Sequence, residues 1–327
     1  MQTRTLGRTG RTVGVVGMGC WQIGAGWGTV AEDDALATLV AAADAGVTFF
    51  DTADVYGDGR SEELVGRLLA ERPDAGLVVA TKMGRRAQPH EAAQYTLDAF
   101  RRWNDRSREN LGVETLDLVQ LHCPPPPVLT TDAVYDALDT LVQEGRTRAY
   151  GVSVETVEEG LQAVARPNVA SVQIILNPLR RKPVEEFLPA AAEAGVGVVV
   201  RVPLASGLLS GRYDESTTFA ADDHRTFNRH GEAFDVGETF AGVPFDVGVL
   251  AARRIAAIAG ETPSAAFTLR WIVEQPGVSV VIPGARNPEQ ARANAAAADL
   301  PAPDPSQLDA VAEVYADLVA EHVHDRW

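Results

Sequence analysis

Four side chains in the first 122 residues could together move a proton: Asp51, Tyr56, Lys82 and His122. A phenol titrates at about 10 in water, so at neutral pH it exchanges its proton poorly unless a nearby cation lowers that value. Lys82 is such a cation, and Asp51 would keep it charged and oriented. His122 would hydrogen-bond a carbonyl oxygen and help to place it. The set suits protonation of a developing alkoxide, which is one half of a carbonyl reduction. The other half is a hydride, which no side chain supplies, so a nicotinamide cofactor is implied. Taken singly, each residue has an ordinary explanation: Asp51 with Thr52 as a loop cap, Tyr56 as a half-buried tyrosine, Lys82 as a solvated strand-end charge, His122 as a structural histidine. What separates the readings is whether the chain brings all four to one place.

Asp51 closes the run "VTFFD" (47–51), and Tyr56 follows in a loop marked by Gly57, Asp58 and Gly59. Lys82 follows "LVVAT" (77–81), and His122 follows "LDLVQL" (116–121). Five more short runs rich in apolar and β-branched residues share this character: "VVGMGC" (15–20), "RAYGVS" (148–153), "SVQIIL" (171–176), "VGVVVR" (196–201) and "VSVVIP" (278–283). Continuous apolar strands buried on both faces, with amphipathic segments between them, read as repeated βα units around a parallel sheet. The segment 31–46 opens on acidic residues and stops at Gly46; 130–145 has Thr131 or Asp132 as cap and Gly145 as stop. Eight such units predict an α/β fold, a (β/α)8 TIM barrel occupying 1–327 as one domain. The start "TRTLGRTGRTVG" predicts a β-hairpin with Gly10 in its turn. Residues 205–245 form a long loop after strand seven, and "CPPPPV" a stiff loop after strand four. An open doubly wound sheet is disfavoured, because no G-x-G-x-x-G follows the first strand. In a barrel the C-terminal strand ends converge on one face, so the four residues share a mouth.

The chain carries a net charge of −16, which argues against a nucleic-acid or anionic-membrane partner while leaving room for a local basic pocket. No apolar run is long enough to span a membrane and no signal-like start is seen, which predicts a cytoplasmic location. Cys20 and Cys123 lack metal-ligand spacing and read as small packing residues; no metal is expected. Lys82 and Lys182 are the only lysines, which draws attention to any site that needs a compact, titratable ammonium.

As an ordered set, "FFDTADVYG", "VVATKMG", "LDLVQLH", "YGVS", "VPLASGLLSG" and "VIPGARNPEQARAN" resemble the aldo-keto reductase family over essentially the whole chain. The resemblance implies a barrel that reduces small-molecule aldehydes and ketones with NADPH in preference to NADH, with Tyr56 as proton donor assisted by Lys82, Asp51 and His122. It also implies cofactor contacts. Gly19, Cys20 and Trp21 would flank the nicotinamide; Ser153 and Gln173 would bond its carboxamide; Leu204, Gly207 and Arg212 would cover the pyrophosphate. Gly284, Arg286, Gln290 and Asn294 would hold the adenosine end, with Arg286 on a 2′-phosphate. Trp21 and Trp27 would line the substrate mouth, with Trp103 a further candidate. Trp327 reads as part of a frayed terminus.

This sequence departs from the family pattern at two positions. Val154 stands where Asn is common, and Arg201 stands where many members stack an aromatic ring on the nicotinamide. A guanidinium plane can also stack on a ring, but beside an oxidised, cationic nicotinamide it would be repulsive, which predicts that Arg201 biases the enzyme towards reduction by holding NADP+ less tightly than NADPH. The family also includes members whose main role is to bind a protein partner, so the alternative to an enzyme is a cofactor-binding regulatory subunit.

Overall fold

The computed structural model describes residues 1–24 and 30–327. Eight parallel strands form one sheet in sequence order: β3 (Met18–Gly19), β4 (Phe49–Asp51), β5 (Val78–Met83), β6 (Leu118–His122), β7 (Tyr150–Ser153), β8 (Val169–Ile175), β9 (Gly197–Arg201) and β10 (Val278–Val281). The ring closes through the parallel bridges Val16–Val281 and Gly19–Gly284. Helices pack outside it, so the strands are buried on both faces, as their unbroken apolar composition requires. Each of the eight expected runs contains or overlaps one of these strands.

Alternation along the strands explains how the site is built. Residues two apart point to the same face of a strand. Phe49 therefore shares a face with Asp51, Val78 and Ala80 with Lys82, Leu118 with His122, and Val199 with Arg201. The lower members of these rows, with Val280 and Ile282, make one apolar cluster, while the upper members are the polar residues of the mouth. The antiparallel hairpin of β1 (Thr3–Thr5) and β2 (Thr12–Gly14) turns through Gly10 in the left-handed region and adds Leu6 and Val13 to that cluster, closing its lower end.

Three local expectations need correction. The proline run is a loop only up to Pro125: Pro126 and Pro127 open a short helix, Pro126–Thr130, because proline is tolerated in a first helical turn. Thr131 precedes the helix Asp132–Gln143 but does not cap it, since its hydroxyl donates to the Pro127 carbonyl at 2.7 Å. Trp327 is buried rather than frayed. Its indole N–H donates to Asp235 at 3.0 Å and the Arg180 guanidinium lies over its ring at 4.1 Å, which ties it to the connection after β9. That connection is built from short helical turns, including Ala205–Ser210 and Val236–Glu238, and leads into two helices, Phe245–Ala259 and Ser264–Val273.

Leu6 is fully buried at the barrel floor and far from the mouth. Leu6→Ala is expected to cost about 2–5 kcal/mol through lost burial and the cavity left behind. Denaturant unfolding measures the loss, and ligand binding at the mouth should be unaffected in the folded fraction.

Candidate active site

Asp51, Lys82 and His122 lie at the ends of β4, β5 and β6, and the strand register brings them together: Asp51 pairs with Ala80, and Lys82 with Gln120. Lys82 Nζ donates to Asp51 Oδ1 at 2.5 Å, to the Thr52 carbonyl at 2.9 Å and to the Tyr56 hydroxyl oxygen at 3.4 Å. The second carboxylate oxygen, Oδ2, accepts from Gln120 Nε2 at 3.1 Å and from Gln173 Nε2 at 2.8 Å. Both charges are removed from solvent. Burial alone would lower the ammonium's pKa, but the Asp51 carboxylate and the Tyr56 oxygen more than offset it, and the pKa lies above the ordinary lysine value.

Tyr56 sits over this pair, with Lys82 Nζ 5.0 Å from its ring centroid. The expected net lowering of its pKa is not found. Burial raises it, Lys82 lowers it, Asp51 and Glu238 raise it further, and the sum lies above the ordinary phenol value. The phenol therefore keeps its proton at neutral pH. Trp21 stacks on the Tyr56 ring at 5.9 Å between centroids, and His122 meets it edge-on at 5.8 Å. The His122 pKa is driven well below its usual value, first by burial and then by Arg85, Lys82 and Arg201, so the imidazole is neutral.

The tetrad opens into one cavity of about 520 Å³ whose wall includes Asp51, Tyr56 and His122. Gly19, Cys20, Trp21, Gln173, Arg201, Leu204, Gly207, Arg212, Gly284, Arg286, Gln290 and Asn294 also line it. Ser153 does not: it is buried in the wall, with its hydroxyl 3.6 Å from Cys123 Sγ. Trp103 packs with Tyr95 and Phe100 on the helix Leu97–Leu111, away from the cavity. Trp27 lies outside the described residues. Several lining residues have part of their polarity already used. Gln173 is bound to Asp51, the Gln290 side-chain oxygen accepts from the Arg286 backbone N–H, and the Asn294 amide donates to the Gly284 carbonyl.

Arg201 differs most from expectation. Its Nη2 donates to Glu155 Oε2 at 2.7 Å and to the Val154 carbonyl at 3.0 Å, and its Nη1 lies 3.9 Å from Glu238. The guanidinium is compensated inside the wall, so the repulsion of an oxidised nicotinamide expected from it has no basis. The residues that sequence reasoning missed are its partners Glu155 and Glu238, then Arg85, which shares those two carboxylates, and Gln120 behind Asp51. Only polar residues just past strand ends, such as Arg85 and Glu155, carried any sequence signal.

Comparison with known proteins agrees with this geometry. The profile described as "Aldo/keto reductase family" matches residues 15–316. Aldo-keto reductase YhdN of Bacillus subtilis is 30% identical over 307 residues, covering 90% of this chain and 87% of the relative. Among solved structures, glycerol dehydrogenase AKR11B4 of Gluconobacter oxydans superimposes with a TM-score of 0.76 at 30% identity, covering 95% of this chain and 93% of the other. An aldo-keto reductase from Klebsiella pneumoniae in complex with NADPH gives 0.71 at 25% identity, covering 96% of both chains.

One buried carboxyl near Tyr56 supplies a pH prediction. Both oxygens of Asp54 are buried without a partner, and burial, with Glu62, raises its pKa to about 7 against the pull of Arg86 and Arg106. Unfolded, the group titrates at about 3.9. The native state therefore binds more protons between these values, and the stability so gained is full below the unfolded value and lost as pH rises through 7. Asn resembles the protonated carboxyl. Asp54→Asn should match wild type in melting temperature near pH 4 and exceed it increasingly up to pH 8, measured by calorimetry; a gap that does not grow with pH refutes the assignment.

Proposed function

The chain belongs to the aldo/keto reductase family and is a carbonyl-reducing oxidoreductase, and from that premise we propose that it uses NADPH, with Tyr56 giving the proton to the carbonyl oxygen. The observation that carries this reading is the buried contact of Lys82 with both Asp51 and the Tyr56 oxygen. Charged lysine beside the phenol oxygen stabilises the phenolate left after proton transfer, and Asp51 keeps that lysine charged. Burial holds the phenol as a neutral acid until then.

The cavity suits a dinucleotide phosphate on its own chemistry. Arg212 and Arg286 line it, and among the described residues neither has a carboxylate within 4.0 Å, in a chain of net charge −16. Two uncompensated guanidiniums at one cavity fit phosphate groups. Gly207 lies on the same wall with φ +98°, a conformation that favours glycine, and a Cβ there would collide with the Tyr213 side chain that also lines the cavity. Arg286 stands at the head of the helix Pro288–Ala296, where a 2′-phosphate would also meet the helix dipole. Bound there, a reduced nicotinamide supplies the hydride, which brings two electrons to the carbonyl carbon. Tyr56 completes the alcohol by giving its proton to the oxygen and takes another from solvent before the next turnover. Trp21 and His122 bracket the Tyr56 ring and restrict the carbonyl to its hydroxyl edge.

Two measurements test the roles. Tyr56→Phe should lower kcat by about 100-fold or more, as loss of a general acid does, while NADPH affinity stays within a few-fold; full activity in this variant would remove Tyr56 from the reaction. Titration by tryptophan fluorescence should show NADPH bound more tightly than NADH, and Arg286→Ala should erase most of that difference. Equal affinities in wild type would refute the 2′-phosphate role and leave the reductase reading standing.

A further inference from the structure

Trp327 forms no part of the cavity wall, yet its contacts lead to that wall by two routes. The first runs through the turn that carries Glu238. The Trp327 indole N–H donates to Asp235 Oδ1 at 3.0 Å, and the same oxygen accepts from the Gly237 backbone N–H at 2.7 Å, opening the turn Val236–Glu238. Glycine stands at 237 and 242, where the indole lies against the backbone. A Cβ at 237 would be 3.0 Å from the ring, and one at 242 would collide with it. Gly242 also has φ +80°, a conformation that favours glycine. Glu238 lies between these two glycines and lines the cavity. Ser206 Oγ donates to the Glu238 carbonyl at 3.2 Å and accepts from the Phe240 N–H at 3.1 Å, which joins the segment to the turn Ala205–Ser210.

The second route runs through Arg180. Its guanidinium lies 4.1 Å from the centroid of the Trp327 ring, and its Nη2 donates to the Glu155 carbonyl at 2.7 Å. Arg180 is 3% exposed, and among the described residues it has no carboxylate within 4.0 Å and no hydrogen-bond partner for Nη1. The indole face therefore answers a desolvated cation that no carboxylate pairs with. Arg326 lies over the same ring at 4.4 Å.

Both routes end on Arg201. Its Nη2 donates to Glu155 at 2.7 Å and its Nη1 lies 3.9 Å from Glu238, while Arg85 shares the two carboxylates at 3.6 Å and 2.9 Å. Arg201 lines the cavity with Tyr56. A nicotinamide that passes hydride to a carbonyl served by Tyr56 lies at this end of the cavity. Its oxidised ring carries a positive charge that the reduced ring lacks, so the balance of these charges acts on one form and hardly on the other.

We propose that Trp327 is a positioning residue for the cofactor site: it holds Glu155 and Glu238 against Arg201 and so removes the penalty that this guanidinium would otherwise impose on the oxidised nicotinamide. This rests on the NADPH reading above and deepens it. Loosening either carboxylate leaves guanidinium charge unanswered at the mouth, where Asp51 already balances Lys82 and supplies no spare anion.

The test measures dissociation constants for NADPH and NADP+ by calorimetry, with the fold of each variant checked by circular dichroism. Trp327→Ala should weaken NADP+ about tenfold more than NADPH, the effect of one unanswered unit charge across about 12 Å at an effective dielectric of about 20. Trp327→Phe keeps a ring beneath Arg180 but loses the bond to Asp235, and should move the same ratio about threefold. It decides the matter if the Ala variant does not fold. Glu238→Gln removes the carboxylate's charge in place and should move the ratio in the same direction. Adding Trp327→Ala to Glu238→Gln should then change the ratio by less than it does in wild type, because the two act through one carboxylate. A ratio unchanged from wild type in the folded variants, whatever the loss in both affinities, would make Trp327 a structural support and overturn the proposal while leaving the reductase reading intact. Effects that simply multiply in the double variant overturn it as well. A wild type that binds neither form overturns both.

Discussion

A lysine ammonium with 1% of its side chain exposed is costly to desolvate, by several kcal/mol, and the mouth of this barrel is organised around keeping it charged. Asp51 supplies the opposite charge, and the Thr52 carbonyl and Tyr56 oxygen accept the remaining bonds. Gln120 and Gln173 then fix the far carboxylate oxygen, so the carboxylate cannot rotate away from the lysine without leaving amide donors unpaired. These groups come from strands β4, β5, β6 and β8 and the loop after β4. A slip of one residue in any of these strands would turn its inward row outward. The closed ring of strands is thus a condition for the ion pair, and the ion pair penalises any register but the native one.

The same alternation sorts the barrel interior by height. Apolar members of each inward row fill the lower end, where Leu6 and Val13 of the hairpin complete the packing. Polar members one step further along emerge at the mouth. No special device is needed to bring catalytic groups together on this fold. β4, β5 and β9 each carry a polar residue two positions beyond an apolar one, as Asp51 follows Phe49, Lys82 follows Ala80 and Arg201 follows Val199, and parallel pairing places those positions on one rim.

This is why so much was legible in one dimension. Apolar runs of strand length reveal the barrel, and a polar residue ending such a run declares its place at the mouth, as Asp51, Lys82 and His122 do. What the sequence conceals is who answers each charge. Glu238 lies 153 positions from Arg85, in a connection whose composition reads as an ordinary solvated loop, and nothing local marks it as a partner. The misreading of Arg201 follows from the same blindness: its position was legible and its compensation by Glu155 was not. Ser153 shows the limit in another way. Its place at the end of β7 is as expected, but its side chain is enclosed in the wall, and only three-dimensional packing reveals which strand-end polar groups face the cavity. Trp327 is likewise unreadable locally, since its partners Arg180 and Asp235 belong to distant segments.

Four of the arginines in and beside this cavity fall into two classes, and the difference is physical. Arg85 and Arg201 are answered by carboxylates within the wall, where low dielectric makes an unpaired charge prohibitive. Arg212 and Arg286 stand exposed at the other side of the cavity, where water solvates them and no carboxylate within the described residues neutralises them. On the proposed reading, the exposed pair recognises the anionic end of the cofactor against the repulsion of a strongly acidic protein, an interaction that salt screens. The other pair adds no net charge to that recognition, because Glu155 and Glu238 already cancel it. On that reading a protein of this acidity can hold a polyanion at one end of the cavity while the charges in the wall beside His122 stay balanced.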